Sequence, residues 1–148
     1  MRALFQVLVI PFRVTALDRD YAVLRRRVER YWQWVAGGGE DDETPASAAL
    51  RELGEELGAL EVLEWWPLDI VGYVPSSALD FQGRRVVPDL VPEYAFAAEL
   101  DPAATFVLSD EHAELTWVPY EVAVRMLHWS SNARALDELE RRLNDRMV

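Results

Sequence analysis

The chain has 148 residues, of which 51% are hydrophobic and 28% charged, and this composition is typical of one globular domain with a single core. Its formal net charge of -11 disfavours a long nucleic acid as a partner, because phosphate backbones bind to basic surfaces. The chain has no cysteine, which excludes disulfides and thiolate metal sites, and no apolar run approaches the roughly 18 residues of a membrane span. We therefore expect one soluble, cytoplasmic domain over residues 1–148, without a membrane partner.

The beginning of the chain predicts two paired strands. Leu4–Val14 is an apolar run with the length of a buried strand, and Tyr21–Arg27 is predicted as its hairpin partner. The short aromatic segment Trp32–Val35 then leads into a Gly-rich loop at Gly37–Gly39, where the backbone can come close to a phosphate or a metal ion.

A helix with clear end signals follows the Gly-rich segment. Thr44 can cap it, Pro45 suits its first position, and Gly58 suits the residue just past its end. One arc of this helix is apolar and is expected to face the core. The residues of this arc are Ala46, Leu50, Leu53 and Leu57.

The second half of the chain predicts more strands and two closing helices. Val62–Tyr73, Tyr94–Leu100 and Ala113–Val118 have strand character, and helices are predicted at Tyr120–Leu127 and Asn132–Met147. This order of elements predicts an α/β (α+β) fold, an α/β/α sandwich with a central mixed sheet. The apolar residues of the late helices belong either to the core or to the surface of a homodimer.

Three carboxylates share one side of the central helix. Glu52, Glu55 and Glu56 stand at relative positions i, i+3 and i+4, where like charges destabilise an isolated helix by roughly 0.2–0.5 kcal/mol per pair. Mg²⁺ would offset this repulsion, because it prefers carboxylate oxygens and leaves positions for phosphate oxygens. A solvent-exposed acidic face is the alternative interpretation of the same three residues.

The stretch from Gly37 to Ala59, GGGEDDETPASAALRELGEELGA, resembles the Nudix box, G-x5-E-x7-R-E-U-x-E-E-x-G-U, in which U is a bulky aliphatic residue. The positions that fall in register are Gly37, Glu43, Arg51, Glu52, Leu53, Glu55, Glu56 and Gly58. The last aliphatic position holds the smaller Ala59. The resemblance implies a Nudix-type sandwich and a hydrolase that cuts a phosphorus anhydride in a small phosphorylated metabolite.

The resemblance also implies roles for the residues of the box. In the Nudix family the carboxylates of this helix bind Mg²⁺ or Mn²⁺, which makes Glu56 the expected principal ligand, with Glu52, Glu55 and the backbone carbonyl of Ala36 beside it. Bound ions of this kind acidify water and neutralise charge on phosphoryl oxygens. Four other box residues are expected to be structural: Gly37, Glu43, Arg51 and Gly58.

A later acidic residue is a candidate for the same site. Glu111-His112, followed by Trp117-Val118, resembles the E-H-x4-W-V stretch that closes many Nudix domains. Glu111 is therefore predicted as a further metal ligand or as the general base, with an ordinary loop carboxylate as the alternative. His112 is expected to be structural or exposed.

The substrate class depends on residues outside the box. The segments Tyr31–Trp34, Glu111–Val118 and Trp129–Leu136 resemble the dihydroneopterin triphosphate pyrophosphohydrolase branch of the family, whose close relatives accept deoxynucleoside triphosphates. A pterin or a purine needs stacking faces, and phosphates need cations. The candidates for these contacts are Arg25, Arg27, Trp32, Trp34, Tyr94, Trp129 and Asn132, with core, capping or solvent-exposed roles as the alternatives.

Two other functions are alternatives to this one. The chain could hydrolyse a dinucleoside polyphosphate or another nucleoside-diphosphate-linked substrate. It could also be a non-catalytic regulatory module that binds a nucleotide. Such modules usually lose the glutamates of the box, and the presence of Glu52, Glu55 and Glu56 favours catalysis.

Overall fold

Seven strands form one sheet within the residues that the computed structural model describes, which are 1–16, 18–58, 61–81, 83–84 and 86–146. The strands are β1 (Arg2–Val14), β2 (Arg19–Arg26), β3 (Trp32–Gln33), β4 (Val35–Glu40), β5 (Val62–Pro75), β6 (Leu90–Leu100) and β7 (His112–Val118). The α-helices are α1 (Pro45–Leu57), α2 (Tyr120–Met126) and α3 (Ser130–Arg146), and a short 3-10 turn covers Ser76–Ala78.

Strand β1 lies at the centre of the sheet. It pairs in parallel with β6, and its other edge is shared between two antiparallel partners. Strand β4 pairs with the first half of β1, and β2 pairs with its last residues, Phe12–Val14. The path through the sheet runs β3-β2-β1-β6-β5, and β7 pairs with β2. The mixed sheet predicted from the sequence is therefore confirmed.

Helices cover both faces of this sheet. On one face, Val7 of β1 packs in a buried cluster with Leu53 of α1. On the other face, Leu8 and Ile10 of β1 pack in a second cluster with Leu136 of α3. Because successive side chains of a strand point to opposite faces, a strand buried on both sides needs an unbroken apolar run, and β1 has one. The predicted α/β/α sandwich is confirmed.

The predicted core face of α1 was wrong at Leu50. That side chain is 48% exposed, whereas Ala48, Ala49, Leu53 and Leu57 are buried. The two alanines are short, so their face of the helix can approach the sheet closely, and Leu50 turns outward. A helical wheel read by hydrophobicity gives most weight to large apolar side chains. It does not show that small residues such as alanine pack the helix against the sheet.

The ends of α1 follow the signals in the sequence. Thr44 is the N-cap and accepts a hydrogen bond from the backbone N–H of Ser47 at 3.1 Å. Gly58 ends the helix with φ +88°, and its N–H donates to the carbonyl of Gly54 at 2.8 Å. This left-handed φ is strained for residues other than glycine. Ala59, the smaller aliphatic residue of the box, lies outside the described residues.

The Gly-rich loop predicted at Gly37–Gly39 was wrong, because these residues form part of strand β4 and pair with β1. Their lack of side chains serves close packing. A Cβ on Gly38 would collide with the guanidinium of Arg2, and a Cβ on Gly39 would collide with the ring of Phe5.

The closing helices begin close to their predicted positions. Helix α3 starts at Ser130, two residues before the predicted Asn132, and the predicted end at Met147 lies outside the described residues. Its apolar residues Leu136, Leu139 and Leu143 are buried, so they belong to the core. The homodimer stays a prediction.

In the part of the chain that is described, no helix has both the length and the apolar character to cross a bilayer.

Candidate active site

A cleft of about 1010 Å³ lies between α1, β4 and the start of α3. The predicted metal-binding residues all line it: Ala36, Glu52, Glu55, Glu56 and Glu111. The first four come from one stretch of the sequence, and Glu111 comes from the segment that precedes β7. The fold therefore brings the predicted carboxylates to one cavity.

Glu56 is the most buried of these carboxylates, with 2% of its surface exposed. The backbone N–H of Ala36 donates to its Oε2 at 3.2 Å. Its Oε1 has no hydrogen-bond partner among the described residues, and Nε2 of the fully buried His112 lies 3.3 Å away. Burial raises the pKa of Glu56 to about 9, and the charges of Glu52 and Glu111 add to this rise.

His112 was expected to be structural or exposed, and it is fully buried. Burial lowers its pKa to about 4, so the imidazole is neutral near pH 7. Both ring nitrogens lack a hydrogen-bond partner among the described residues. A neutral imidazole beside Glu56 supplies no positive charge that would stabilise the ionised form of that carboxyl group, which agrees with its raised pKa.

Arg51 organises the other box residues. Its Nη1 donates to Glu52 at 3.0 Å and to Glu55 at 3.3 Å. Its Nε and Nη2 donate to the carboxylate of Glu43 at 2.9 Å, and Nη2 also donates to the carbonyl of Gly38 at 2.9 Å. One guanidinium thus joins the strand, the turn before α1 and the helix itself.

Gly37 makes room for Glu52. A Cβ at position 37 would overlap the carboxyl group of Glu52, so a larger residue there would displace it. Burial raises the pKa of Glu52, Arg51 opposes this rise, and the charge of Glu55 adds to it. The close approach of backbone and carboxyl group explains a glycine at this position of the box.

Glu111 stands opposite the helix and is the most exposed of the carboxylates. Its side chain is 64% exposed, and Arg26 Nη1 lies 3.6 Å from Oε2. Arg27 holds the surrounding backbone, since its Nε donates to the carbonyl of Asp110 at 2.9 Å and its Nη2 to that of His112 at 3.1 Å. Glu111 is therefore an exposed side chain on a backbone segment that Arg27 holds by hydrogen bonds.

The predicted phosphate contacts of Arg25 and Arg27 are not supported by their positions, because neither lines the cleft. Arg25 pairs with Glu114 at 3.1 Å and lies over the Trp32 ring at 5.8 Å, and Arg27 binds backbone carbonyls. Arg26 lines the cleft instead. Alternation along the strand explains why Arg26 lines the cleft and Arg25 and Arg27 do not. Leu24 faces the α1 side of the sheet, and Arg26, two residues further on, points to the same side.

Among the predicted aromatic contacts, Trp129 lines the cleft and is 44% exposed. Trp34 was wrong as a substrate contact, because it is fully buried in the core. Trp32 and Tyr94 pack against the two core clusters and do not line the cleft. Large aromatic side chains bury more apolar surface than other residues. For this reason Trp32, Trp34 and Tyr94 pack in or against the core and do not line the cleft.

Asn132 is 2% exposed and lines the cleft. Its Oδ1 accepts from the backbone N–H of Trp34 at 3.0 Å, and the indole Nε1 of Trp34 donates to its carbonyl at 3.0 Å. The residue thus ties the start of α3 to the strand segment before β4. Its hydrogen bonds are structural, although its position adjoins the cleft.

Sequence reasoning missed several cleft residues, among them Gln6, Tyr31, Tyr73 and Glu93. Tyr31 stacks on His128 with ring centroids 4.4 Å apart and meets Trp129 edge-on at 5.5 Å. The resemblance at Tyr31–Trp34 could have indicated that Tyr31 lies at the cleft. Gln6 and Glu93 lie in apolar strands, and nothing in the sequence around them indicates a binding residue.

The residues around Glu56 fit a hard divalent cation such as Mg²⁺ in their chemistry. All the side-chain atoms that could bind the ion are carboxylate oxygens, and one of them, Glu56 Oε1, is buried without a partner among the described residues. A cation would favour the ionised form of a carboxyl group that burial and neighbouring charges keep neutral. No three acidic or histidine side chains of the described residues converge on a common point, because Arg51 holds Glu52 and Glu55 in ion pairs.

Comparison with known proteins defines the class. The model of the NUDIX domain family matches residues 7–139. This span is most of the chain, and the chain therefore belongs to the NUDIX domain family. The family predicted from the box is confirmed.

Three individual matches add detail. A Listeria monocytogenes protein described as a NUDIX hydrolase has a crystal structure with TM-score 0.86 and 43% identity, and the match covers 96% of this chain and 95% of that one. A Haemophilus influenzae protein named dihydroneopterin triphosphate diphosphatase is 31% identical over 113 residues, which are 72% of this chain and 68% of that protein. A Myxococcus xanthus protein named octanoyltransferase is 40% identical over 107 residues, which are 71% of this chain and 28% of that protein.

The family model and the first two of these matches confirm the predicted fold and, at the level of the family, the predicted class, a hydrolase of phosphorus anhydrides. The match covers just over a quarter of the Myxococcus xanthus relative, which is a much longer protein.

Proposed function

We propose that the chain is a pyrophosphohydrolase that depends on Mg²⁺, with Mn²⁺ as an alternative ion. Its proposed substrate is a small triphosphate, either dihydroneopterin triphosphate or a deoxynucleoside triphosphate. The observation that carries this proposal is the buried carboxyl group of Glu56, whose Oε1 lacks a partner among the described residues and which faces a cleft shared with Glu52, Glu55 and Glu111.

The metal would be held by the carboxylates of Glu52, Glu55 and Glu56 and the carbonyl of Ala36, and Glu111 would be a further ligand only if it did not act as the general base. When bound, such an ion neutralises phosphoryl charge and makes water more acidic. The acidic lining of the cleft supports this role, because a triphosphate would be repelled from these carboxylates unless cations lay between them.

The side chains of the chain supply positioning and proton transfer. Glu111 is exposed in the cleft and is the proposed acceptor of the proton lost by the attacking water. Arg27 fixes the backbone on both sides of Glu111, and Arg51 fixes the helix relative to β4. Water would break one phosphorus–oxygen–phosphorus linkage, and two phosphorylated products would leave.

Two facts support a triphosphate of a flat heterocycle as the substrate. The Haemophilus influenzae relative is named a dihydroneopterin triphosphate diphosphatase. The cleft also extends from the carboxylates to exposed aromatic residues, with Trp129 44% and Tyr73 63% exposed. Exposed aromatic faces are suited to stacking on a heterocycle.

The test is release of phosphate and pyrophosphate, with Mg²⁺ or Mn²⁺, from dihydroneopterin triphosphate, the deoxynucleoside triphosphates, diadenosine tetraphosphate and ADP-ribose. We expect pyrophosphate from the pterin or a deoxynucleotide, and a loss of about 10³-fold in kcat for Glu56→Gln. Glu121→Gln, on α2 outside the cleft, is the control and should retain full activity.

The panel also separates the alternatives. Hydrolysis of diadenosine tetraphosphate or ADP-ribose alone would replace the proposed substrate and keep the chemistry. Binding of a nucleotide without turnover of any compound would favour the regulatory module. Wild-type activity in Glu56→Gln would contradict the proposed role of this carboxylate.

A further inference from the structure

A buried carboxyl group outside the box lines the same cleft. Glu93 on β6 is 8% exposed, and the hydroxyl of Ser131 in the first turn of α3 hydrogen bonds to it. The proposed hydrolysis gives Glu93 no role. Buried carboxyl groups are normally paired, whereas no ion pair joins Glu93 to a cation in the described part of the chain.

The pairing of the strands fixes where Glu93 lies relative to the box. Gly38, Gln6, Glu93 and Gly72 are paired in this order across β4, β1, β6 and β5. Adjacent strands are about 4.8 Å apart, so the backbone of Glu93 lies on the order of 10 Å from that of Gly38. Gly38 directly follows Gly37, which packs on Glu52. The distance suits a ligand with its phosphates at the box and its ring near Glu93.

Gln6 places a buried acceptor next to Glu93, one without a partner in the described part of the chain. It is 8% exposed and lines the cleft, and its Oε1 is buried without a hydrogen-bond partner among the described residues. A buried polar atom without a partner costs free energy. A ligand that presents N–H donors to this part of the cleft would give Gln6 Oε1 a partner and would add hydrogen bonds to Glu93.

We propose that Glu93 determines specificity by binding a ring that presents two adjacent donors, an N–H of the ring and an amino group on the neighbouring carbon. This inference rests on the proposed function, because it assumes that the ligand is the triphosphate held at the box. A carboxylate accepts two such hydrogen bonds side by side. The 2-amino-4-oxopyrimidine ring, which guanine and pterins share, has this edge.

Other rings do not have this pattern of donors. Adenine and cytosine present a ring nitrogen that is an acceptor beside their amino group, and its lone pair would face the carboxylate. Thymine has a ring N–H between two carbonyl oxygens. A protein carboxylate therefore discriminates against all three.

The electrostatics of the site agree with this assignment. Burial raises the pKa of Glu93 to about 7, and the hydrogen bond from Ser131 opposes the rise. Two donors from a ligand would stabilise the ionised form further. The exposed aromatic residues Tyr73 and Trp129 line the cleft near Gly72 and Ser131, their neighbours in the sequence, and offer faces to the ring.

The decisive experiment compares ligands that differ by one amino group. dITP has the ring N–H of dGTP and lacks its 2-amino group. We expect wild-type kcat/KM to be about tenfold higher for dGTP than for dITP. In Glu93→Gln, kcat/KM for dGTP and for dihydroneopterin triphosphate should fall about 10- to 100-fold, and the ratio of dGTP to dITP should approach unity.

Two controls accompany this measurement. Glu99→Gln makes the same change on β6 outside the cleft, and it should leave the ratio unchanged. Calorimetric binding of dGMP, dIMP and dAMP shows ring recognition without chemistry, and wild type should bind dGMP about tenfold more tightly than dIMP. Equal affinities of wild type for dGMP and dIMP would overturn the proposal without any variant, so the proposal can still be refuted even if Glu93→Gln does not fold.

The outcomes separate the two proposals. Equal values for guanine and hypoxanthine ligands, or a preference that persists in folded Glu93→Gln, would overturn the role of Glu93 and leave the hydrolase intact. Absence of turnover for every triphosphate would contradict the proposed function, while the binding of the monophosphates would still decide the role of Glu93.

Discussion

The two ends of the cleft are built in different ways. The carboxylate end consists of Glu52, Glu55, Glu56 and Glu111, where negative charges crowd together and Arg51 pairs with two of them. The ring end consists of Gln6, Tyr73, Glu93 and Trp129, with one buried carboxyl group and two exposed aromatic side chains. The first end concentrates charge for a cation, and the second offers flat faces and a few hydrogen-bonding groups.

This difference predicts a separation of kinetic effects. Changes at the carboxylate end should lower kcat, because its groups act on charge that develops during the reaction. Changes at the ring end should act on KM and on the choice of substrate, because its groups bind parts of the ligand that do not react.

The largest of the effects that test this separation is expected for Glu111→Gln. Loss of the proposed proton acceptor should lower kcat by about 10³-fold and leave KM within about threefold of wild type. Glu114→Gln is the matched control, since Glu114 lies three residues further along, on β7, and pairs with Arg25 instead. If steady-state kinetics show that Glu111→Gln keeps its kcat, Glu111 is an ordinary loop carboxylate.

A smaller effect is expected for Gly37→Ala. The added Cβ would displace the carboxyl group of Glu52, which should lower kcat on the order of 10- to 100-fold. It should destabilise the fold by less than about 1 kcal/mol, because only the end of one side chain has to move. Gly54→Ala is the matched control, because its Cβ would meet nothing within 4 Å and it lies inside α1.

Gly54→Ala should stabilise the protein by about 1 kcal/mol through helix propensity, with unchanged kcat. Kinetics and denaturant unfolding of both variants measure these effects. Equal kcat values in Gly37→Ala and wild type would show that the position of Glu52 does not limit the reaction.

The smallest effect is expected for Trp129→Ala at the ring end. The loss of one stacking face should raise KM about fivefold with kcat unchanged, because stacking contributes about 1 kcal/mol. Trp34→Ala provides the contrast, since this fully buried side chain should cost about 3–5 kcal/mol of stability instead. A fall in kcat without a rise in KM for Trp129→Ala would break the proposed division between the two ends.

Local patterns explain which predictions from the sequence succeeded. The caps of α1 at Thr44 and Gly58 depend on hydrogen bonds between near neighbours, so the residue types indicate them directly. The carboxylates of the box share one side of the helix by spacing alone. The errors at Leu50 and Trp34, and the position of Arg25 outside the cleft, concern which surface another element covers, and spacing along the chain does not contain that information.

The sequence by itself determined the helices, every strand but β3 and β4, the sandwich and the family, because these follow from periodicity and from a motif contained in one continuous stretch. Only the tertiary structure decided that Arg26, and not its neighbours, lines the cleft. It alone brought Gln6 and Glu93 side by side through the parallel pairing of β1 with β6, across more than 80 residues of sequence. Strand pairing joins distant segments through backbone hydrogen bonds that nearly any residue can form, so the side-chain sequence of a strand does not predict which strand it pairs with.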